Sequence, residues 1–140
     1  MHTFAVPVLG VVIAAVTATV VGILWYSPYV FGSMWLNLSG VDRLDIRDSR
    51  KKVMKAYFLC FVSAIISSYI LAVVLENLLL KNVADAAVVS FFLWLGFVAT
   101  SLFVEFLFEV RQKPWKLYSI NAGYQLISLM AGASILYLFN

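Results

Sequence analysis

Four long apolar stretches, separated by polar segments, dominate the pattern of hydrophobic positions along the chain. The stretches cover residues 4–26, 56–80, 86–108 and 117–139, and none of them contains Lys or Arg. Each is long enough to cross a bilayer, which needs roughly 20 apolar residues in a helix. The pattern therefore predicts an all-α polytopic membrane protein, with residues 1–140 forming a single four-helix transmembrane bundle.

The longest polar connection, residues 27–55, begins with a helix stop and then returns to a helical pattern. Pro28 disfavours helical geometry at Ser27, so the first helix should end near Tyr26. Apolar side chains then recur at helical spacing, at Phe31, Met34, Trp35 and Leu38. One apolar face of this length predicts a short helix that lies in the membrane interface.

The composition excludes several classes of protein. Hydrophobic residues make up 64% of the chain and charged residues 12%, whereas soluble domains average about 45–50% and about 25%. The single cysteine, Cys60, cannot form an internal disulfide, and with only one histidine, His2, a His/Cys metal cluster is excluded. We therefore expect no metal site and no cofactor.

The basic residues predict the orientation in the membrane. Nine of the ten lie in the first and last connections, at Arg43, Arg47, Arg50, Lys51, Lys52, Lys55, Arg111, Lys113 and Lys116. Because positive loops stay in the cytoplasm, both termini should lie on the non-cytoplasmic side of the plasma (inner) membrane. The net charge of +3 then reflects topology rather than binding to nucleic acid.

The bases just before the second span also suggest contact with lipid head groups. Arg50, Lys51, Lys52 and Lys55 form a cluster there. Each such residue attracts anionic head groups by about 1 kcal/mol. The cluster either orients and anchors the helix or forms a specific lipid site.

Small residues form a stripe on the first helix. Gly10, Ala14, Ala18 and Gly22 are each four residues apart, a spacing that lets another helix approach closely. The neighbouring helix could belong to the same chain or to another subunit, and we expect a homo-oligomer.

Polar side chains inside the predicted spans are candidates for function, because ionisable groups are costly in a membrane. In the third span Glu105 shares a helix face with Ser101 and Glu109, each four residues away. In the fourth span Asn121 and Gln125 are expected at the depths of Glu105 and Ser101. The two faces could form a hydrogen-bonded packing network, or line a path for a proton or cation.

One motif resembles a known family. Residues Trp25, Tyr26, Ser27, Pro28, Phe31, Gly32 and Trp35 match the pattern W-Y-S-P-x-x-F-G-x-x-W. The pattern is similar to that of the small membrane proteins labelled domain of unknown function 1761, and segments 55–57, 94–97 and 120–124 also resemble that family. The resemblance implies a four-helix membrane fold. It assigns no activity and no catalytic residue.

Three classes of function remain. The first is a small oligomeric transporter or channel for ions or small solutes, with Glu105 and its polar neighbours lining the path. The alternative is a structural or accessory membrane protein that binds another membrane subunit or lipid. An enzyme is disfavoured, because the sequence has no nucleophile–base pair, metal set or phosphate loop.

Overall fold

The computed structural model describes residues 5–41, 49–111 and 113–139. This part of the chain forms four long helices and one short helix. The long helices are α1 (Val8–Trp25), α3 (Arg50–Glu76), α4 (Val83–Phe108) and α5 (Trp115–Phe139), and the short α2 (Gly32–Ser39) follows α1. All four long helices are long and apolar enough to cross a membrane, which confirms the predicted all-helical architecture with four candidate spans. The position of α2 in the membrane interface stays a prediction.

The helices do not coincide with the apolar stretches. In particular, α3 begins at Arg50 instead of residue 56, and it ends at Glu76 instead of residue 80. Lys and Arg favour helical geometry, so a basic segment can extend a helix beyond its apolar part. Residue 4, where the first span was predicted to begin, and residues 42–48 of the charged connection lie outside the described residues.

A capped turn joins α3 to α4. The side chain of Asn82 accepts a hydrogen bond from the Asp85 N–H at 2.9 Å. The Asp85 carboxylate in turn accepts one from the Lys81 N–H, also at 2.9 Å. The first bond satisfies an N–H group that a helix start leaves without an intrahelical partner. The second ties Lys81, which precedes the helix, to its first turn. The short link reverses the chain, and a second short link does the same between α4 and α5.

The buried core lies toward the end of the bundle where α1 begins and α5 ends. Its members come from all four long helices and are Val11, Ala14, Leu71, Ala72, Leu75, Ala86, Ala133 and Leu136. In α3 the buried residues begin only at Ser68. The preceding half of α3, from Arg50 onward, therefore packs less closely against the other helices.

The small-residue stripe of α1 packs against α5 of the same chain. A Cβ placed on Gly22 would meet the Tyr124 hydroxyl at 3.1 Å. Near the middle of the bundle, a Cβ on Gly132 would lie 3.9 Å from that of Ala14. The alternative that the sequence left open is thus resolved, because α5 already occupies this stripe.

Within α4, residues Trp94–Ala99 form a π-helical segment between two α-helical parts. Such segments are rare and shift the rotational phase of the residues that follow. The part before it, Val83–Leu93, makes most of the contacts between α4 and α5. The part after it, Thr100–Phe108, contacts α5 less.

Candidate functional site

The end of α1 is held against the first half of α5 by two aromatic side chains. The indole N–H of Trp25 donates a hydrogen bond to the carbonyl oxygen of Ile120 at 3.0 Å. The hydroxyl of Tyr26 donates to the side-chain oxygen of Asn121, also at 3.0 Å. The first two residues of the sequence motif therefore bind two consecutive residues of α5.

Two further aromatic donors bind around the same stretch of helix. The indole N–H of Trp94, at the start of the π-helical segment, donates to the carbonyl oxygen of Ala122 at 2.9 Å. The Tyr124 hydroxyl lies 3.4 Å from the carbonyl oxygen of Ala18 in α1. We call the set of Trp25, Tyr26, Trp94, Tyr124 and the α5 residues 120–122 the aromatic cluster.

The turn after α1 gives the motif its shape. The N–H of Gly32 donates to the carbonyl oxygen of Ser27 at 2.8 Å, and the N–H of Phe31 to that of Trp25 at 3.0 Å. A Cβ on Gly32 would lie only 2.2 Å from the Tyr26 carbonyl oxygen. Only glycine fits at this position, so the turn depends on it.

Aromatic rings complete the cluster. The ring centroids of Trp25 and Phe31 lie 4.7 Å apart, and those of Tyr26 and Trp35 lie 5.8 Å apart in an edge-on arrangement. Burial, with a smaller contribution from Tyr124, raises the pKa of Tyr26, the residue after α1, to about 12. Its hydroxyl therefore remains a neutral hydrogen-bond donor at any physiological pH.

The structure does not bring Glu105 together with Asn121. Glu105 is exposed on α4, and it has no hydrogen bond or ion pair with any other described residue. The side of α4 that faces α5 is occupied by Phe103 and Phe106, whose rings lie 5.8 Å and 4.8 Å from that of Trp115. At about 100° per residue, Glu105 points well away from that side.

The other predicted polar residues are separated in the same way. Ser101 is exposed on α4, and its hydroxyl donates to the carbonyl oxygen of Phe97. Glu109, just beyond α4, forms an ion pair with Lys113. Gln125 is half-buried on α5. Their roles along a path stay predictions.

Reasoning from the sequence missed the hydrogen-bonding role of the aromatic residues. In the sequence, Trp25, Tyr26 and Trp94 stand out only as residues that carry the family resemblance. A buried indole N–H or phenol hydroxyl needs a hydrogen-bond acceptor. This requirement is the signal in the sequence that indicates such bonds. In the described ranges, no group of three or more His, Cys, Asp or Glu side chains is arranged to hold a metal ion.

Four helices that are long and apolar enough to cross a membrane are typical of a polytopic α-helical membrane protein. Comparison with protein families then gives a more specific result. The chain belongs to the family described as protein of unknown function (DUF1761), whose model matches residues 9–137. The family resemblance noted in the sequence is thereby confirmed. No curated protein and no solved structure matches the chain significantly.

Proposed function

We propose that this protein is a small transporter or channel for ions or small solutes, which works as a homo-oligomer. Its path runs beside Glu105, where subunits meet. The observation that carries the proposal is an exposed carboxyl group on a helix that is apolar enough to cross a membrane. An ionisable side chain that faces lipid is costly, and such groups usually face water or protein.

The surface around Glu105 supports contact between subunits. The exposed residues Gly96, Thr100, Ser101 and Glu105 are spread around the outward side of α4, and we call them together the α4 face. In the apolar stretch of α4 that could cross a membrane, 11% of the residues are buried, against 22–28% in the other three long helices. A Cβ on Gly96 would meet nothing within 4 Å. The glycine therefore leaves room for a second helix.

A second copy of the chain suits this surface. Four helices of one chain enclose little volume, so a path requires space between copies. Copies related by an axis along the membrane normal present the same residues at the same depth. Glu105 of one copy then lies near the polar residues of the next, where water and a cation or proton can be held. The hydroxyls of Thr100 and Ser101 line this space.

The basic groups support an orientation in which both termini lie on the non-cytoplasmic side of the plasma (inner) membrane. In α3 the residues Arg50, Lys51, Lys52 and Lys55 are all exposed. They sit on the first turns of a helix rather than in a loop. A rigid basic helix end at the cytoplasmic surface suits contact with anionic head groups.

The test is proton and cation flux into liposomes that contain the wild-type protein or the Glu105→Gln variant. We expect the variant to lose flux while it remains folded and oligomeric. Glu109→Gln is the matched control, because that carboxylate is also exposed but is paired with Lys113. Flux in the Glu105→Gln variant equal to that of the wild type would refute a path beside Glu105.

The contact between subunits needs a separate test. Gly96→Leu should weaken the oligomer in mild detergent, because it fills the space beside the α4 face. Val16→Leu is the control, since Val16 is 45% exposed on α1, away from that face. An unchanged oligomer in the Gly96→Leu variant would refute this surface as the contact.

A structural or accessory protein is the second candidate function. The α1 stripe does not serve it, because α5 occupies that stripe, but the free α4 face could bind a different membrane subunit. This function predicts no flux from the wild-type protein. It also predicts that Gly96→Leu abolishes cross-linking to another membrane protein, while Glu105→Gln does not.

A further inference from the structure

A buried hydroxyl group inside the bundle lacks a hydrogen-bond partner. Ser128 of α5 is 7% exposed, and its hydroxyl oxygen has no partner within the described residues. Other helical hydroxyls bond to the carbonyl one turn earlier, as Ser134 does to Met130 at 2.8 Å. A buried polar group without a partner is costly and usually indicates a bound water or ligand.

A second buried hydroxyl lies at the same level of the bundle. Ser68 of α3 is also 7% exposed. The depth of Ser68 relative to Ser128 follows from the contact between Gly132 of α5 and Leu71 of α3. A Cβ on Gly132 would lie 3.9 Å from a methyl carbon of Leu71. Both helices run in the same direction, because α4 runs opposite to each. Ser68 precedes Leu71 by about one turn, and Ser128 precedes Gly132 by about one turn.

The two serines also point toward each other's helix. On α3, Ser68 shares one face with Leu71, Ala72 and Leu75, the buried face of that helix. On α5, Ser128 shares the face of Gly132, which looks toward α1 and α3. Yet the Ser128 hydroxyl has no bond to Ser68 or to any other described residue. A bridging molecule between the two hydroxyls would satisfy both.

A third polar group lies on the same face as Ser128. Gln125 precedes Ser128 by three residues and so lies on that face of α5; its side chain is half-buried. None of the α3 residues that precede Ser68 is buried. Gln125 therefore lies between the less closely packed end of the bundle and the buried Ser128 hydroxyl.

We propose that a water molecule bridges Ser128 of α5 and Ser68 of α3, with the side-chain amide of Gln125 as its third partner. Buried waters make about three hydrogen bonds on average to groups that would otherwise be unpaired. The three side chains carry no charge, so the site suits water rather than an ion. The site joins α3 to α5 where the apolar core ends, and it does not depend on transport beside Glu105.

The first test is the sign of a stability change. If water satisfies the hydroxyl, Ser128→Ala leaves the water and Ser68 with fewer bonds, and the Tm in detergent falls by roughly 2–4 °C. If the hydroxyl is dry and unpaired, its removal leaves the Tm unchanged or higher, and the proposal is overturned. Ser134→Ala is the matched control, because that hydroxyl is bonded only within its own helix.

A double variant tests whether the two serines share one water. The Tm decrease of the Ser68→Ala/Ser128→Ala variant should be smaller than the two single decreases together, because one bridging molecule is lost only once. Decreases that simply add would overturn a shared site.

Discussion

The turn between α1 and α2 leaves no room for a side chain at Gly32, so Gly32→Ala should be strongly destabilising. A Cβ there would lie 2.2 Å from the Tyr26 carbonyl oxygen and 2.7 Å from the carbonyl carbon and oxygen of Ser27. All three atoms belong to the backbone, which cannot move aside as a flexible side chain can. Ordinary van der Waals contact begins at 3.4 Å, so the turn must open by about 1.2 Å, the difference between 3.4 and 2.2 Å.

Opening the turn breaks the hydrogen bonds that hold it. The bond from the Gly32 N–H to Ser27 and the bond from the Phe31 N–H to Trp25 would both lengthen. Each contributes about 0.5–1.5 kcal/mol, and overpacking costs about 1–3 kcal/mol. We therefore expect Gly32→Ala to lower the free energy of unfolding by about 2–5 kcal/mol.

The free energy of unfolding can be measured by titrating the detergent-solubilised protein with a denaturing detergent and following tryptophan fluorescence. Gly96→Ala is the matched control, because a Cβ on Gly96 meets nothing within 4 Å. In a helix that change should have no cost and could stabilise by up to about 1 kcal/mol. A steric conflict at Gly32 is refuted if the Gly32→Ala variant unfolds like the wild type, or if Gly96→Ala loses as much stability.

Three further changes can be read by the same titration. Tyr26→Phe removes the donor to Asn121 and should cost about 0.5–2 kcal/mol; no loss would mean that this bond contributes nothing to stability. Gly22→Leu drives a side chain into Tyr124 and should cost at least about 1–3 kcal/mol, and a neutral result would contradict the packing of α1 on α5. Glu109→Gln breaks an exposed ion pair and should cost less than about 0.5 kcal/mol; a larger loss would indicate that the carboxylate has a partner beyond that pair.

The helices were predictable because a membrane leaves the backbone few choices. In lipid the backbone N–H and carbonyl groups must bond internally, so an apolar stretch of sufficient length forms a helix. The position of a helix end is less constrained, because water outside the lipid can bond to the free N–H and carbonyl groups there. For this reason α3 extends back to Arg50, through a basic segment that hydropathy assigns to a connection.

The expected meeting of Glu105 and Asn121 shows what spacing along a helix cannot predict. Counting residues from a shared end gives the depth of a side chain but not the rotation of its helix. The rotation of α4 follows from large rings, because Phe103 and Phe106 pack against the start of α5. The π-helical segment before them, which no sequence pattern signalled, adds a further change of phase.

The hydrogen bonds of the aromatic cluster could not be predicted from the sequence for another reason. Trp25 and Trp94 donate to carbonyl oxygens of the backbone, and such an acceptor exists at every residue. The sequence therefore cannot show which residue of α5 receives each bond. Only the Tyr26 bond ends on a side chain, that of Asn121, whereas the sequence predicts this amide at the depth of Glu105.

This distribution of hydrogen bonds indicates where function should be sought. The side-chain donors of Trp25, Tyr26 and Trp94 are already bonded to α5, so the aromatic cluster stabilises the fold. Within the described residues, the polar groups without a hydrogen-bond partner include the Glu105 carboxyl, exposed on α4, and the Ser128 hydroxyl, buried on α5. Changes in the motif should therefore reduce stability and activity together. Glu105→Gln should instead reduce flux while the protein stays folded.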